Sequence, residues 1–173
     1  VDARARSVIL TVPFRMSLKK AEIFVAENAA WIERHRAALP NKTDVRDGME
    51  LTVWGRTYTL RHAAGRGLTR FEGHYIIIHG DPAHMRRRLM DFLKKEMLDI
   101  IKDRVCAKAA MLDVTVGDIV LRDPRSRWGS CAPDGRLMFS WRLCFAPPHV
   151  FDYVVAHEVA HRRHMNHSRA FWQ

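Results

Sequence analysis

His157, Glu158 and His161 spell HEVAH, an HExxH pattern, inside AHEVAHRRHMNHSRAFW, where residues 157 to 167 hold four histidines and one glutamate. Four residues of helix rise about 6 Å and turn slightly more than a full circle, so the imidazoles of His157 and His161 project from one face toward a shared point. With zinc–nitrogen bonds of about 2.0 to 2.1 Å, one ion fits between them. Glu158, one residue round from His157, can reach a water on that ion without ligating it. The same residues would also suit a polar helix end with surface histidines. A catalytic zinc has three protein ligands and an open position, so a third ligand decides between the two.

Two histidines compete for that role. His164 lies seven residues after His157, about 10 Å along the axis if the helix continues, too far to share an ion with it. His167 can return to the metal only if the helix ends first. Asn166 tolerates the left-handed conformation that terminates helices, and Ser168 can cap a new helix beginning RAFW. His167 is therefore the expected third ligand, with His164 on the rim. Three neutral imidazoles leave the ion its full charge, lowering the pKa of a bound water from about 15.7 toward about 7. Glu158 is then the expected catalytic base, taking the water's proton and passing it to a leaving amine. Tyr153, four residues before His157, shares its helical face. It reads either as an orienting hydroxyl or as a packed aromatic at the helix start.

Other elements must hold this helix. Ser7 to Val12 reads as a short strand stopped by Pro13. Ser17 caps a helix whose apolar face is Leu18, Ala21, Phe24, Val25, Trp31 and Ile32 and which Pro40 closes. MELTVWGRTYTLRH, GLTRF and HYIIIHG, separated by glycines, predict a small antiparallel meander. Asp81 and Pro82 start a long helix with Met85, Leu89, Phe92, Leu93, Met97, Ile100, Ile101 and Val105 as its buried stripe. VTVGDIVLRD reads as a strand, PRSRWGSCAPDG as a loop and RLMFSWRL as a strand offering a sheet edge to an extended substrate. Pro147 and Pro148 open the motif helix.

YVVAHEVAHRRHMNHSRAFW, with RSRWGSC, GRLMFSWRL and APP, resembles the YgjP-like zinc metallopeptidases and, more distantly, the SprT-like proteases. The resemblance is strongest from Ile119 to Trp172 and extends over LTVPFRMSLKKAEIFVAENAAWI and the long helix. It implies zinc on His157, His161 and His167, one ion per chain, with Glu158 catalytic. Through RWGSC it also implies a loop in which Arg127 shapes the cleft or binds a carboxylate, or which is structural, with Trp128 packed on the catalytic helix. Cys131 of that loop is a far weaker ligand than the histidines. The histidine spacing also equals that of metzincins, but His164 stands where their glycine is expected.

The expected fold is α+β, a small zincin-like metallopeptidase with an antiparallel or mixed sheet, a long packing helix and an HExxH helix. Residues 1–80 would form an N-terminal helix and strand meander and 81–173 the catalytic part, unless the whole is one continuous domain; the loop from Pro40 to Asp47 is the expected seam. Composition agrees with a globular chain, 173 residues with 47% hydrophobic and 28% charged. Its three cysteines are too few and too dispersed for a disulfide framework and suit a reducing compartment. No apolar run approaches the roughly 18 to 20 residues that span a bilayer, and a cytoplasmic protein is expected. The chain begins without methionine, which leaves room for a longer product. Lys and Arg exceed Asp and Glu by 29 to 19. Besides a peptide or protein substrate, nucleic acid is therefore a candidate partner. The alternative function is a nucleic-acid-associated protein, either a DNA-recruited SprT-like protease or a non-catalytic zinc-containing binding module.

Overall fold

In a computed structural model the described residues are 7–39, 44–124 and 126–172, and the chain divides into two compact units, 1–43 and 44–173. A border at 80/81 falls inside the second unit.

In the first unit the Ser17 hydroxyl accepts from the Lys20 amide at 3.4 Å and starts α1, Leu18–Glu27. The expected single helix breaks at Asn28, whose side-chain amide donates to the Phe24 carbonyl at 2.8 Å. Such local bonds compete with the helical ladder, and the chain resumes as α2, Ala29–Ala37. Closure at Pro40 lies outside the described residues. Of the expected strand over Ser7 to Val12 only Ser7 makes a single β-bridge, and residues 8–12 take no regular secondary structure. Val8, Ile9 and Leu10 instead line an apolar groove of about 380 Å³ with Phe24, Trp31 and Ile32.

The second unit opens with β1, Glu50–Val53, and β2, Arg56–Ala63. Trp54 and Gly55 join them with φ of 50° and 75°, as a two-residue hairpin turn needs. β3, Arg70–Glu72, and β4, Tyr75–His79, complete a sheet of order β1-β2-β4-β3. The expected meander is thus corrected to a mixed sheet in which β2 and β4 run parallel. Tyr-Ile-Ile-Ile-His is the most apolar of the four strands, Ile76 and Ile78 are wholly buried, and a strand of that composition takes the middle of a sheet.

Asp81 caps a short 3-10 turn at Pro82–His84 by accepting from the Ala83 amide at 2.8 Å, and α3, Met85–Leu112, follows. Its buried residues are Met85, Leu89, Leu93, Met97, Ile101, Val105 and Ala109. Each four-residue step overshoots a full turn by about 40°, so this seam winds around the helix. Early on it meets β4, with the Phe92 ring 4.9 Å from that of Phe71 on β3. Later it meets β5, Ile119–Arg122, and α4, Pro148–Ala160. One helix thereby forms a common core for both sheets. Leu93→Ala, at a wholly buried position of the seam, is expected to cost roughly 2–5 kcal/mol, measured as a lower urea midpoint at unchanged slope. A loss below about 1 kcal/mol would remove it from the core.

The second sheet has the order β5-β7-β6, with β6 at Gly129–Cys131 and β7 at Leu137–Ser140. This corrects two expectations. The RWGSC segment is not all loop, since β6 pairs antiparallel with β7. RLMFSW is not an edge either, since β7 lies between β5 and β6 with Leu137, Phe139 and Ser140 buried. β6 has only three residues, Gly-Ser-Cys, and carries no alternating pattern by which a strand is recognised. No helix among the described residues is long and apolar enough to cross a membrane.

Candidate metal centre

Pro147 and Pro148 begin α4, with Pro148 docked against the β1–β2 turn: a Cβ on Gly55 would fall 2.9 Å from its Cδ. The buried residues of α4 are Phe151, Val155, Glu158 and Val159. They stand at i, i+4, i+7 and i+8, the apolar stripe of an amphipathic helix, so Glu158 is a carboxylate occupying a core position. His157 and His161 flank that stripe, both half-buried.

The helix ends earlier than expected, at Ala160, with His161 as its C-cap. The chain tightens into i to i−3 bonds, Arg162 to the Val159 carbonyl at 2.9 Å and Arg163 to that of Ala160 at 3.0 Å. Arg162 holds this turn against the rest of the unit, its Nε donating to the Thr115 carbonyl at 2.9 Å. Asn166 therefore does not end the helix, and its φ is not left-handed. It acts through its side chain, whose Oδ1 accepts from the Ser168 amide at 3.4 Å. Ser168 precedes a single 3-10 turn, Arg169–Phe171, and makes no side-chain cap.

Along this path His167 returns to α4, its Nε2 3.1 Å from Nε2 of His157. The ligand atoms of His157, His161 and His167 lie within 4.8 Å of one another. A tetrahedral ion with arms of about 2.0–2.1 Å holds neighbouring ligand atoms about 3.3 Å apart, so this donor set fits a shared metal. His161 is also oriented for it. Its Nδ1 lies 3.1 Å from the His164 carbonyl oxygen, and a donor there leaves Nε2 with a free lone pair. Burial, then the neighbouring His161 and His167, push the His157 pKa down, toward the neutral form that binds metals. His164 contributes its carbonyl, and its imidazole is outside the group.

Glu158 is 7% exposed, and burial pushes its carboxyl up to about 7 against the opposing pull of Arg127. Glu158, Arg127 and the three histidines line one cleft of about 430 Å³, together with Cys131. The Tyr153 ring centroid is 5.9 Å from that of His157 while the side chain stays largely exposed. Trp128 is 53% exposed and so does not fill the core; its carbonyl accepts from the Ser140 amide at 2.8 Å. Neither lines the cleft. Cys131 is half-buried, burial raises its pKa, and its thiol is outside the ligand group.

Phe171, to which helical spacing assigns no role, has its ring centroid 5.0, 4.8 and 4.9 Å from those of His157, His161 and His167. It backs all three imidazoles at once. The aromatic pair Phe171 and Trp172 closing the RAFW segment was its sequence signal.

A model of the YgjP-like metallopeptidase domain matches residues 1–173. The chain belongs to this family. No curated protein and no solved structure matches it. A YgjP-like metallopeptidase acts on peptides or proteins with the help of a metal, and the three histidines are the group among the described residues that could hold one.

Proposed function

We propose that this YgjP-like chain is a zinc-dependent peptidase, with His157, His161 and His167 as the ligands and Glu158 as the base. The observation that carries the reading is that three imidazoles converge in a cleft whose wall also holds a buried carboxylate. Zinc, when bound, supplies a Lewis acid that polarises the scissile carbonyl and acidifies water. Glu158 accepts the proton of the attacking water at a carboxylate oxygen and delivers it to the leaving amine nitrogen. Its burial raises the affinity of the carboxylate for that proton.

With β7 central, the sheet edge beside the cleft belongs to β6, whose Gly129, Ser130 and Cys131 line it. An extended substrate pairs there through its backbone. The guanidinium of Arg127 lines the same cleft and suits a carboxylate on the substrate. A purely structural zinc usually takes four protein ligands, often thiolates, whereas this group has three imidazoles.

The test is metal removal. Exhaustive chelation is expected to abolish cleavage of a quenched fluorescent peptide library, and one equivalent of zinc per chain to restore it. Full activity in protein shown by elemental analysis to be metal-free would overturn the proposal.

A further inference from the structure

We infer that Gly129 is a positioning residue for Glu158: the missing side chain on β6 is the space into which the carboxylate is seated. The inference rests on the proposed role of Glu158 as base. A Cβ built on Gly129 would lie 2.6 Å from both Cγ and Oε1 of Glu158 and 2.9 Å from its Cδ. Carbon atoms pack at about 3.5–4.0 Å, so an alanine and this carboxylate cannot coexist in their present positions.

The glycine is not demanded by the backbone. Gly129 is absent from the glycines of positive φ, so an L residue fits its conformation, and the requirement is close approach alone. The strand is held from its other side, since Gly129 pairs with Phe139 and Ser130 with Met138, and the Ser140 amide binds the Trp128 carbonyl at 2.8 Å. The root of Glu158 is held equally well, between the buried Val155 and Val159 of α4. What remains free to yield is the end of the Glu158 side chain, which carries the oxygens that would take the proton. The three nearest atoms to the new Cβ all belong to Glu158, so the imidazoles are left where they are.

The experiment is Gly129→Ala in the zinc-loaded protein, alone and combined with Glu158→Gln. Displacing a reacting group by about 1 Å costs on the order of 100-fold. The expected result is unchanged zinc content, a KM close to that of the unaltered protein and a kcat about 100-fold lower. Adding Gly129→Ala to Glu158→Gln is expected to slow it no further, because the group that it displaces is already disabled. A glycine serving the fold in general would lower both rates by the same factor. A crystal structure of Gly129→Ala should show the carboxylate moved and the β6 backbone in place. A folded Gly129→Ala with kcat within about threefold of the unaltered protein overturns the inference, as does an equal further loss in the double variant. If Gly129→Ala alone fails to fold, recovery of folding by Glu158→Ala supports the contact, and failure to recover overturns it. Glu158→Gln retaining full activity would instead sink the assignment of the base itself.

Discussion

Replacing Glu158 by Gln is expected to lower kcat for peptide hydrolysis by about a hundred- to ten-thousandfold, the range contributed by a positioned general base. Zinc content should not change, because the side chain lies outside the imidazole group. Nor should the fold suffer. Gln has the same shape, and a neutral amide is cheaper to bury than a carboxylate in a site that is 7% exposed. Steady-state kinetics beside elemental analysis and a thermal melt separate these effects. A variant within tenfold of full activity, with zinc bound, would remove Glu158 from the chemistry.

His167→Ala should weaken zinc binding by more than the 10–100-fold that loss of an outer supporting partner costs, because it deletes a donor atom. His164→Ala should leave affinity nearly unchanged, although in the sequence it stands closer to the motif. Its contribution is the main-chain oxygen beside His161 Nδ1, which alanine retains. Competition against a chromophoric chelator measures both. Equal losses in the two variants would contradict the division of roles between them.

These expectations trace back to spacing that needs no coordinates. The i, i+4 separation of His157 and His161 is a property of any helix, and the apolar residues of α3 repeat often enough to mark its core seam. Glu158 was readable in a further sense, since it falls in register with Phe151, Val155 and Val159. The route to His167 was legible only in outline: the return was expected, but not its origin in the tight turn after Ala160 held by Arg162. That hold depends on the Thr115 carbonyl, 47 residues distant. The parallel pairing of β2 with β4 and the central place of β7 are likewise long-range choices, decided by which strands bury most apolar surface. Gly129 escaped notice because the absence of a side chain acquires meaning only when another side chain fills the space.

The early end of α4 has an electrostatic consequence. The peptide dipoles of a helix sum to roughly half a negative charge at its carboxyl end. Because α4 stops at Ala160 with His161 as cap, that end coincides with the turn bearing His157 and His161. A cation beside such a terminus is favoured by about 0.3–1 kcal/mol, roughly two- to fivefold in affinity. A helix continuing to His164 would carry this field a turn beyond the imidazoles. The unwinding that lets His167 return thus also leaves the backbone's own negative pole beside the three imidazoles.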